Sequence, residues 1–274
     1  MIVSMVRAGE ESGTLGLILL RVADFLEKRV QFRNKMWGIM TYPLLMAAMA
    51  IMVLVFLLTY VTPTITRIFG EISLTLPLPT LILVAIGTFL KQFWFLLVLL
   101  IILAVIAVRR SFHSQRGKLV IDRLRFRTPL LSDLFIKGEI AAFSRTFATL
   151  LAGGVEILES MTISSTVVFS PLIRKELNGI RDFVSRGGSL SNGFQGSAFF
   201  PYLMAQLVNA GERSANLPEM FDKIASMYEE EVSQKSLRIV TFLEPLMILF
   251  MGIIVGFIVL AVLLPIFQIS QSIK

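Results

Sequence analysis

Residue types that usually carry chemistry are scarce in this chain. Its 274 residues include no cysteine and a single histidine, His113. This excludes a disulfide framework and a thiolate or multi-histidine metal site, and it nearly excludes a catalytic triad. The glycine-rich segment from Gly187 to Gly193 lacks the lysine of a phosphate-binding loop. We therefore expect no catalytic residue, no metal and no cofactor.

Glycines and carboxylates in special positions remain as candidates for function. A Gly-Glu pair occurs twice, as Gly9-Glu10 and as Gly211-Glu212. Such a pair is typical of a turn between helices, in which the glutamate caps the next helix, and contact with a partner is the alternative. Gly153-Gly154 is a further break between helical segments.

Two more candidates lie in the last apolar segment. Glu244 directly precedes Pro245, at the edge of a membrane span. We expect its carboxylate to cap the helix at the bilayer surface, and a proton path is the alternative. Gly252 and Gly256 form a small-xxx-small pattern, which permits another helix to approach closely. The pattern does not tell whether that helix belongs to this chain, to a second copy or to another protein.

The elements that position these residues are mostly apolar. Hydrophobic residues make up 55% of the chain and charged residues only 16%, which excludes a purely soluble protein. Three stretches approach or exceed the length of about 20 helical residues that crosses a bilayer. We assign transmembrane helices to residues 41–63, 91–109 and 244–266. Residues 64–90 form the connection, whose apolar part is interpreted as an interfacial or tilted segment that leads into the second span, and a fourth crossing is the alternative.

The distribution of basic residues predicts the orientation. Six lysines and arginines precede the first span, only Arg67 lies between the first and second spans, with Lys91 at the start of the second, and only Lys274 follows the third. Because cytoplasmic loops retain basic residues, the N-terminus is expected in the cytoplasm and the tail 267–274 in the periplasm. The basic stretch from Arg109 to Arg127 is interpreted as an anchor to anionic membrane lipid, with no nucleic acid as partner.

Residues 110–240 have a different character and predict a helical cytoplasmic domain. Apolar residues recur at helical spacing, with Gly or Pro between the segments. The pattern predicts helices over 138–151, 155–168, 171–185, 201–210 and 218–236. The acidic run Glu229–Glu231 is interpreted as a solvated face, with Glu231 and Lys235 as an i,i+4 pair.

The chain also repeats itself at an offset of 202 residues. Ala8-Gly9-Glu10 aligns with Ala210-Gly211-Glu212, and Pro43-Leu44 aligns with Pro245-Leu246. The offset holds through a span, which chance matches would not do. Each unit is a helical cytoplasmic element followed by a crossing, and the second span returns the chain. The fold class is thus an all-α membrane protein with three transmembrane helices and duplicated helical cytoplasmic domains.

Three segments resemble a known family. They are AGERSANLPEMFDKIASMYEEEV, LLAGGVEILESM and EPLMILFMGIIVGFIVLAVLLPIF. They are similar to the inner-membrane platform protein of type II secretion systems and type IV pili, the general secretion pathway F protein family. The resemblance implies a non-enzymatic platform in the bacterial inner membrane that couples a hexameric secretion or pilus ATPase to the insertion of pilin-like subunits. It also implies other inner-membrane assembly components as partners, and we expect a homo-oligomer.

Two other classes of function fit the sequence less well. An oligomeric transporter or channel subunit is the alternative, but the spans lack paired ionisable residues and a polar stripe. A membrane-bound enzyme would need a catalytic constellation that the sequence does not contain.

One departure from the family concerns the start of the chain. Family members usually carry a full first cytoplasmic domain before the first Ala-Gly-Glu, whereas only seven residues precede Ala8. We expect residues 1–40 to be the remnant of that domain. The apolar face of its helices is then expected to lack its neighbours; its residues are Val6, Leu15, Leu19, Val22 and Leu26.

Overall fold

The computed structural model describes residues 2–3, 5–6, 15–57, 59, 77–113 and 129–272. Within these ranges the chain is helical and forms no strand, which confirms the predicted fold class. In chain order the helices are α1 (Leu15–Phe56), α2 (Leu78–His113), α3 (Pro129–Ala152), α4 (Ile157–Ser165), α5 (Pro171–Ser185), α6 (Leu190–Gln195), α7 (Tyr202–Arg213) and α8 (Leu217–Ser272).

The internal repeat is visible in the bounds of the two longest helices. α1 begins at Leu15 and α8 begins at Leu217, which is the sequence offset of 202 residues. With 42 and 56 residues, the helices are about 63 and 84 Å long at 1.5 Å per residue. Both exceed the hydrocarbon thickness of about 30 Å, so each helix combines a polar first part with an apolar second part.

Among the described residues, three helices are long and apolar enough to cross a membrane, namely α1, α2 and α8. The predicted spans 91–109 and 244–266 lie within α2 and α8, and residues 41–56 of the first predicted span lie in α1. Residues 58 and 60–63 lie outside the described residues. In α2 the helix begins at Leu78, so residues 78–90 are helical and continuous with the predicted second span. Length and composition select Leu78–Leu96 within α2, so the boundary at residue 91 stays a prediction.

The chain divides into two compact units. One contains residues 1–37 and 109–237, and the other contains residues 38–108 and 238–274. In the first unit, α3, α5, α6, α7 and the start of α8 share a core that is rich in phenylalanine. The rings of Phe147 and Phe221 meet edge to face at 4.6 Å, and those of Phe194 and Phe200 at 5.0 Å. The first contact holds the start of α8 against α3, and the second packs the segment that precedes α7 against α6.

Local sequence signals explain the starts of two helices in this unit. α5 has the predicted bounds 171–185, because the Ser170 hydroxyl accepts a hydrogen bond from the Ile173 amide and Pro171 fits the first turn. α6 was not predicted. Its six residues are too few to show a period, although Ser189 caps its start by accepting from the Asn192 amide.

The apolar face of α1 is only half covered. Ile18 and Val22 are buried in a small cluster with Leu150 and Val155, so the expectation that Val22 lacks neighbours is wrong. In contrast, Leu19 is 52% exposed. Leu15 and Leu26 are exposed as well, and Val6 is half-buried. The repeat counterparts of Leu19 and Leu26 are Phe221 and Tyr228, and both are buried in the main core.

In the second unit, α2 packs against α8 in the antiparallel direction. Leu83 is buried with Ile258 and Ala261. The Thr80 hydroxyl donates a hydrogen bond of 2.6 Å to the carbonyl oxygen of Ala261. Such side-chain bonds between helices are typical of membrane interiors, where a polar group needs a partner.

Candidate functional site

Gly153-Gly154 ends α3 and permits a close contact. Gly154 has φ +79°, and the amides of Gly154 and Val155 donate to the carbonyls of Leu151 and Leu150, which is a Schellman motif. A Cβ on Gly153 would lie 3.1 Å from the Met5 methyl and 3.3 Å from the Ile18 Cδ1 atom. The pair therefore serves a turn and the packing of the N-terminal residues on α3.

The interpretation of Gly211 as a turn residue is wrong. Gly211 lies inside α7, and the left-handed conformation that ends this helix belongs to Ala215, with φ 52°. A Cβ on Gly211 would lie 2.9 Å from the Met220 Cγ atom. Gly211 is therefore needed for the close approach of α7 and α8. Its repeat counterpart Gly9 and the adjacent Glu10 lie outside the described residues.

Glu212 does cap a helix, but that helix is α6, which precedes the helix α7 that carries Glu212. Its carboxylate accepts hydrogen bonds from the amides of Leu190 and Ser191 at 2.6 and 3.2 Å. It also accepts one from the Ser191 hydroxyl. These amides open α6, so the glutamate satisfies free donors at the start of a short helix. The expectation that it caps the next helix is wrong, because α7 continues past Glu212.

Glu244 does not cap a helix. It lies in the interior of α8, which continues without a break through Pro245. The Tyr42 hydroxyl donates a hydrogen bond of 2.9 Å to the Glu244 carboxylate. Tyr42 is the repeat counterpart of Glu244, 202 residues earlier. The contact therefore joins equivalent positions of the two repeats.

Gly252 and Gly256 lie on an open face of α8. A Cβ on either glycine would meet no atom within 4 Å. At 100° per residue, their face is nearly opposite the one that carries Ile254, Ile258 and Ala261, which packs on other helices of this unit. Within the described part of a single chain, no helix uses this small-residue face.

The interpretation of the acidic run in α8 as a solvated face is wrong for Glu229, whose side chain is 21% exposed, whereas Glu230 is 55% exposed. Arg145 of α3 reaches this run with a side chain that is only 7% exposed. Its guanidinium donates two hydrogen bonds to Glu229, at 2.7 and 3.1 Å, and one to the Ser226 hydroxyl at 2.9 Å. It also forms an ion pair with Asp222, to which Lys28 of α1 donates at 3.2 Å.

The other two glutamates of the run are paired as well. Lys35 of α1 lies 2.6 Å from Glu230. Glu231 belongs to a lysine–carboxylate cluster between α3 and α8. The cluster consists of Asp133, Lys137, Glu231 and Lys235. The predicted Glu231–Lys235 pair is present at 3.2 Å.

These contacts shift the protonation equilibria in a consistent direction. Burial alone raises the pKa of Asp133 and of Glu231, but the lysine ammonium groups outweigh it and hold both pKa values below their usual range. Burial likewise lowers the pKa of Arg145, and Glu229 and Asp222 more than compensate for it. Burial raises the pKa of Tyr228 to about 12. Asp133, Glu231 and Arg145 are therefore charged at neutral pH.

The arrangement ties α1, α3 and α8 together through charged side chains. Among the residues that the structure describes, no group of three or more His, Asp or Glu side chains is placed to hold a metal. Arg145 was missed by sequence reasoning. The available signal was a single arginine within an otherwise uncharged helical stretch, from Ile140 to Ala152.

Comparison with known proteins identifies a family whose profile covers both copies of the repeat. The profile of the family described as type II secretion system (T2SS), protein F matches residues 1–63 and 143–265. The type IV pilus assembly protein PilC of Thermus thermophilus is 37% identical over 273 residues, which are 99% of this chain and 67% of that protein. The type II secretion system protein F of Pseudomonas aeruginosa is 32% identical over 97% of this chain and 66% of its own length. The PilC protein of the same organism is 31% identical over 98% of this chain and 72% of its own length.

The chain thus spans about two thirds of the length of these relatives. The family profile covers most of the chain, including both copies of the repeat. With its three candidate spans, this chain belongs to the type II secretion system protein F family of membrane proteins.

Proposed function

We propose that this protein is an inner-membrane platform component of a type II secretion or type IV pilus assembly machine. The similarity to PilC and protein F over nearly the whole chain carries the proposal. The platform acts without catalysing a reaction, in line with the single histidine and the absence of cysteine. A hexameric ATPase drives assembly from the cytoplasm, and pilin-like subunits are inserted at the spans.

The proposed orientation follows the basic residues. The N-terminus and residues 110–240 lie in the cytoplasm, and residue 274 lies in the periplasm. The domain of residues 110–240 is then the part that meets the ATPase. The basic segment 109–127 contacts anionic lipid at the inner surface of the membrane.

The proposed oligomer uses the third span. Within the described part of the chain, nothing lies close to Gly252 and Gly256 on their face, and small residues at this spacing let helix backbones approach closely. A second copy of the chain or a pilin-like subunit is the partner on this face. One three-span chain offers little surface beside a hexameric motor, which favours several copies.

Crosslinking in native membranes tests the function. A strain that carries the tagged chain is treated with an amine-reactive crosslinker, and the captured complexes are identified by mass spectrometry. We expect the assembly ATPase, pilin-like subunits and a second copy of the chain. If deletion of the gene leaves secretion and pili intact and no such protein is captured, the platform function is wrong.

A further inference from the structure

A polar groove lies between α6 and α7, and no step of the proposed function uses it. Its volume is about 520 Å³. The lining is polar except for Ala205. We call it the amide groove, because four carboxamides line it, namely Asn192, Gln195, Gln206 and Asn209.

The four carboxamides form two matched pairs. Asn192 and Gln195 are three residues apart on α6, and Gln206 and Asn209 are three residues apart on α7. Residues at this spacing lie on the same helix face with Cβ atoms about 5–6 Å apart. Each helix therefore presents a short ladder of amides to the groove.

Three of these amides are free to bind a ligand. Asn192, Gln195 and Gln206 are exposed, and their side-chain carboxamides have no hydrogen-bond partner within the described part of the chain. A carboxamide offers both donors and an acceptor, which is what a peptide group requires. In an extended chain, residues i and i+2 are about 6.6–6.8 Å apart. Flexible side chains whose Cβ atoms are about 5–6 Å apart can reach the peptide groups of two such residues.

The charges of the groove favour an acidic ligand. Glu212 accepts hydrogen bonds from the amides that open α6, so its carboxylate oxygens are already engaged. The Arg213 guanidinium donates to Asn209 at 3.1 Å and forms no ion pair with any described residue. Its remaining donors are available to a carboxylate.

An exposed aromatic residue extends the same face. Tyr202 is 67% exposed at the start of α7. With Gln206, Asn209 and Arg213 it follows the spacing i, i+4, i+7 and i+11, which places all four on one stripe of the helix. Tyrosine and arginine are enriched where proteins bind each other.

We propose that the amide groove binds an extended, acidic segment of a partner polypeptide. The carboxamides pair with the peptide groups, Arg213 pairs with a carboxylate, and Tyr202 packs against a side chain at the end of the groove. A phosphate ligand would need more than one cation, and a lipid chain would need an apolar lining. The inference does not depend on which protein the proposed function names as partner.

Peptide binding to the full chain in detergent micelles tests this proposal. The probe is a fluorescein-labelled peptide of four Thr-Glu repeats, in which repulsion between the glutamates favours an extended conformation. The control probe has four Thr-Lys repeats. Fluorescence anisotropy is expected to show saturable binding of the Thr-Glu peptide and at least tenfold weaker binding of the Thr-Lys peptide.

Matched variants locate the site. Gln206→Ala and Asn192→Ala each remove hydrogen bonds and are expected to weaken binding about 3- to 10-fold. Arg213→Gln is expected to abolish the preference for the acidic peptide. Asn178→Ala and Arg186→Gln, which do not line the groove, are expected to leave binding unchanged.

Three results would overturn the proposal. They are a lack of saturable binding of the Thr-Glu peptide, equal affinity for the Thr-Lys peptide, and wild-type affinity in Gln206→Ala and Asn192→Ala. Competition by inorganic phosphate at equal concentration would also contradict it, since the site would then be an anion site. Unchanged circular dichroism of each variant ensures that a loss of binding reports the groove and not unfolding.

Discussion

Replacement of Arg145 by methionine tests the ion pairs that join α3 to α8. The guanidinium is 7% exposed and bonds to Glu229, Asp222 and Ser226. Methionine keeps most of the side-chain length but removes every polar contact. The change therefore isolates the charge and its hydrogen bonds from the packing of the stem.

The expected cost lies between two limits. Loss of one partner of a fully buried ion pair costs about 3–5 kcal/mol, because the other charge stays unpaired. Here Glu229 is 21% exposed and Asp222 is 42% exposed, so water can reach both carboxylates. Asp222 also keeps its contact with Lys28. We therefore expect Arg145→Met to destabilise the unit by about 2–3 kcal/mol.

The matched control is Lys35→Met. The Lys35–Glu230 pair has a short distance of 2.6 Å, but the two side chains are 47% and 55% exposed. Water screens exposed pairs, so the control is expected to leave the stability near that of the wild type. Comparison of the two variants shows whether burial or distance decides the strength of an ion pair here.

Hydrogen–deuterium exchange of the full chain in detergent provides the measurement. Amides of residues 140–150 are buried in α3, and their protection reports the free energy of local unfolding. We expect exchange in this segment to accelerate strongly in Arg145→Met and to stay near wild type in Lys35→Met. Equal protection in Arg145→Met and wild type, or an equal loss in Lys35→Met, would refute the reasoning.

Three further predictions concern topology, the third span and pH. A cysteine in place of Ser272 should react with an impermeant thiol reagent in intact cells and one in place of Ser185 should not; the reverse pattern would invert the orientation. Gly256→Leu should impair secretion or pilus assembly while Ile253→Leu is tolerated, and normal assembly in both variants would make the open face irrelevant. The carboxylates of the lysine–carboxylate cluster have pKa values below the ordinary values of 3.8 for Asp and 4.5 for Glu. Their contribution to the stability of the fold is therefore complete above these ordinary pKa values. It is lost as the pH falls through the lower pKa values of the folded state. The melting temperature should thus be nearly constant from pH 7 to about 5 and fall below about pH 4, and a decline already near pH 6 would contradict this.

Helices in this protein were largely predictable because their signals are local. The bounds of α5 follow from Ser170 and Pro171, and the paired starts of α1 and α8 follow from the repeat. α6 was missed because six residues carry no period. A break between the cytoplasmic helix and the third span was expected near Glu244, but α8 continues through this residue as one helix.

Roles of single side chains were less predictable, since they depend on contacts distant in sequence. Gly211 has the backbone of an ordinary helical residue, and its need for a missing Cβ appears only when Met220 is packed against it. Glu212 caps a helix that begins 22 residues earlier. Neither role can be recognised from the residues next to Gly211 and Glu212 in the sequence.

The sequence by itself determined the three apolar segments, the duplication at an offset of 202 residues and the family, because hydropathy and repetition are properties of the order of residues. The tertiary structure alone decided that Arg145 pairs with Glu229, 84 residues away, and that Tyr42 meets Glu244. These contacts are set by how the helices pack, and each partner satisfies a charge or polar group that burial would otherwise leave unpaired.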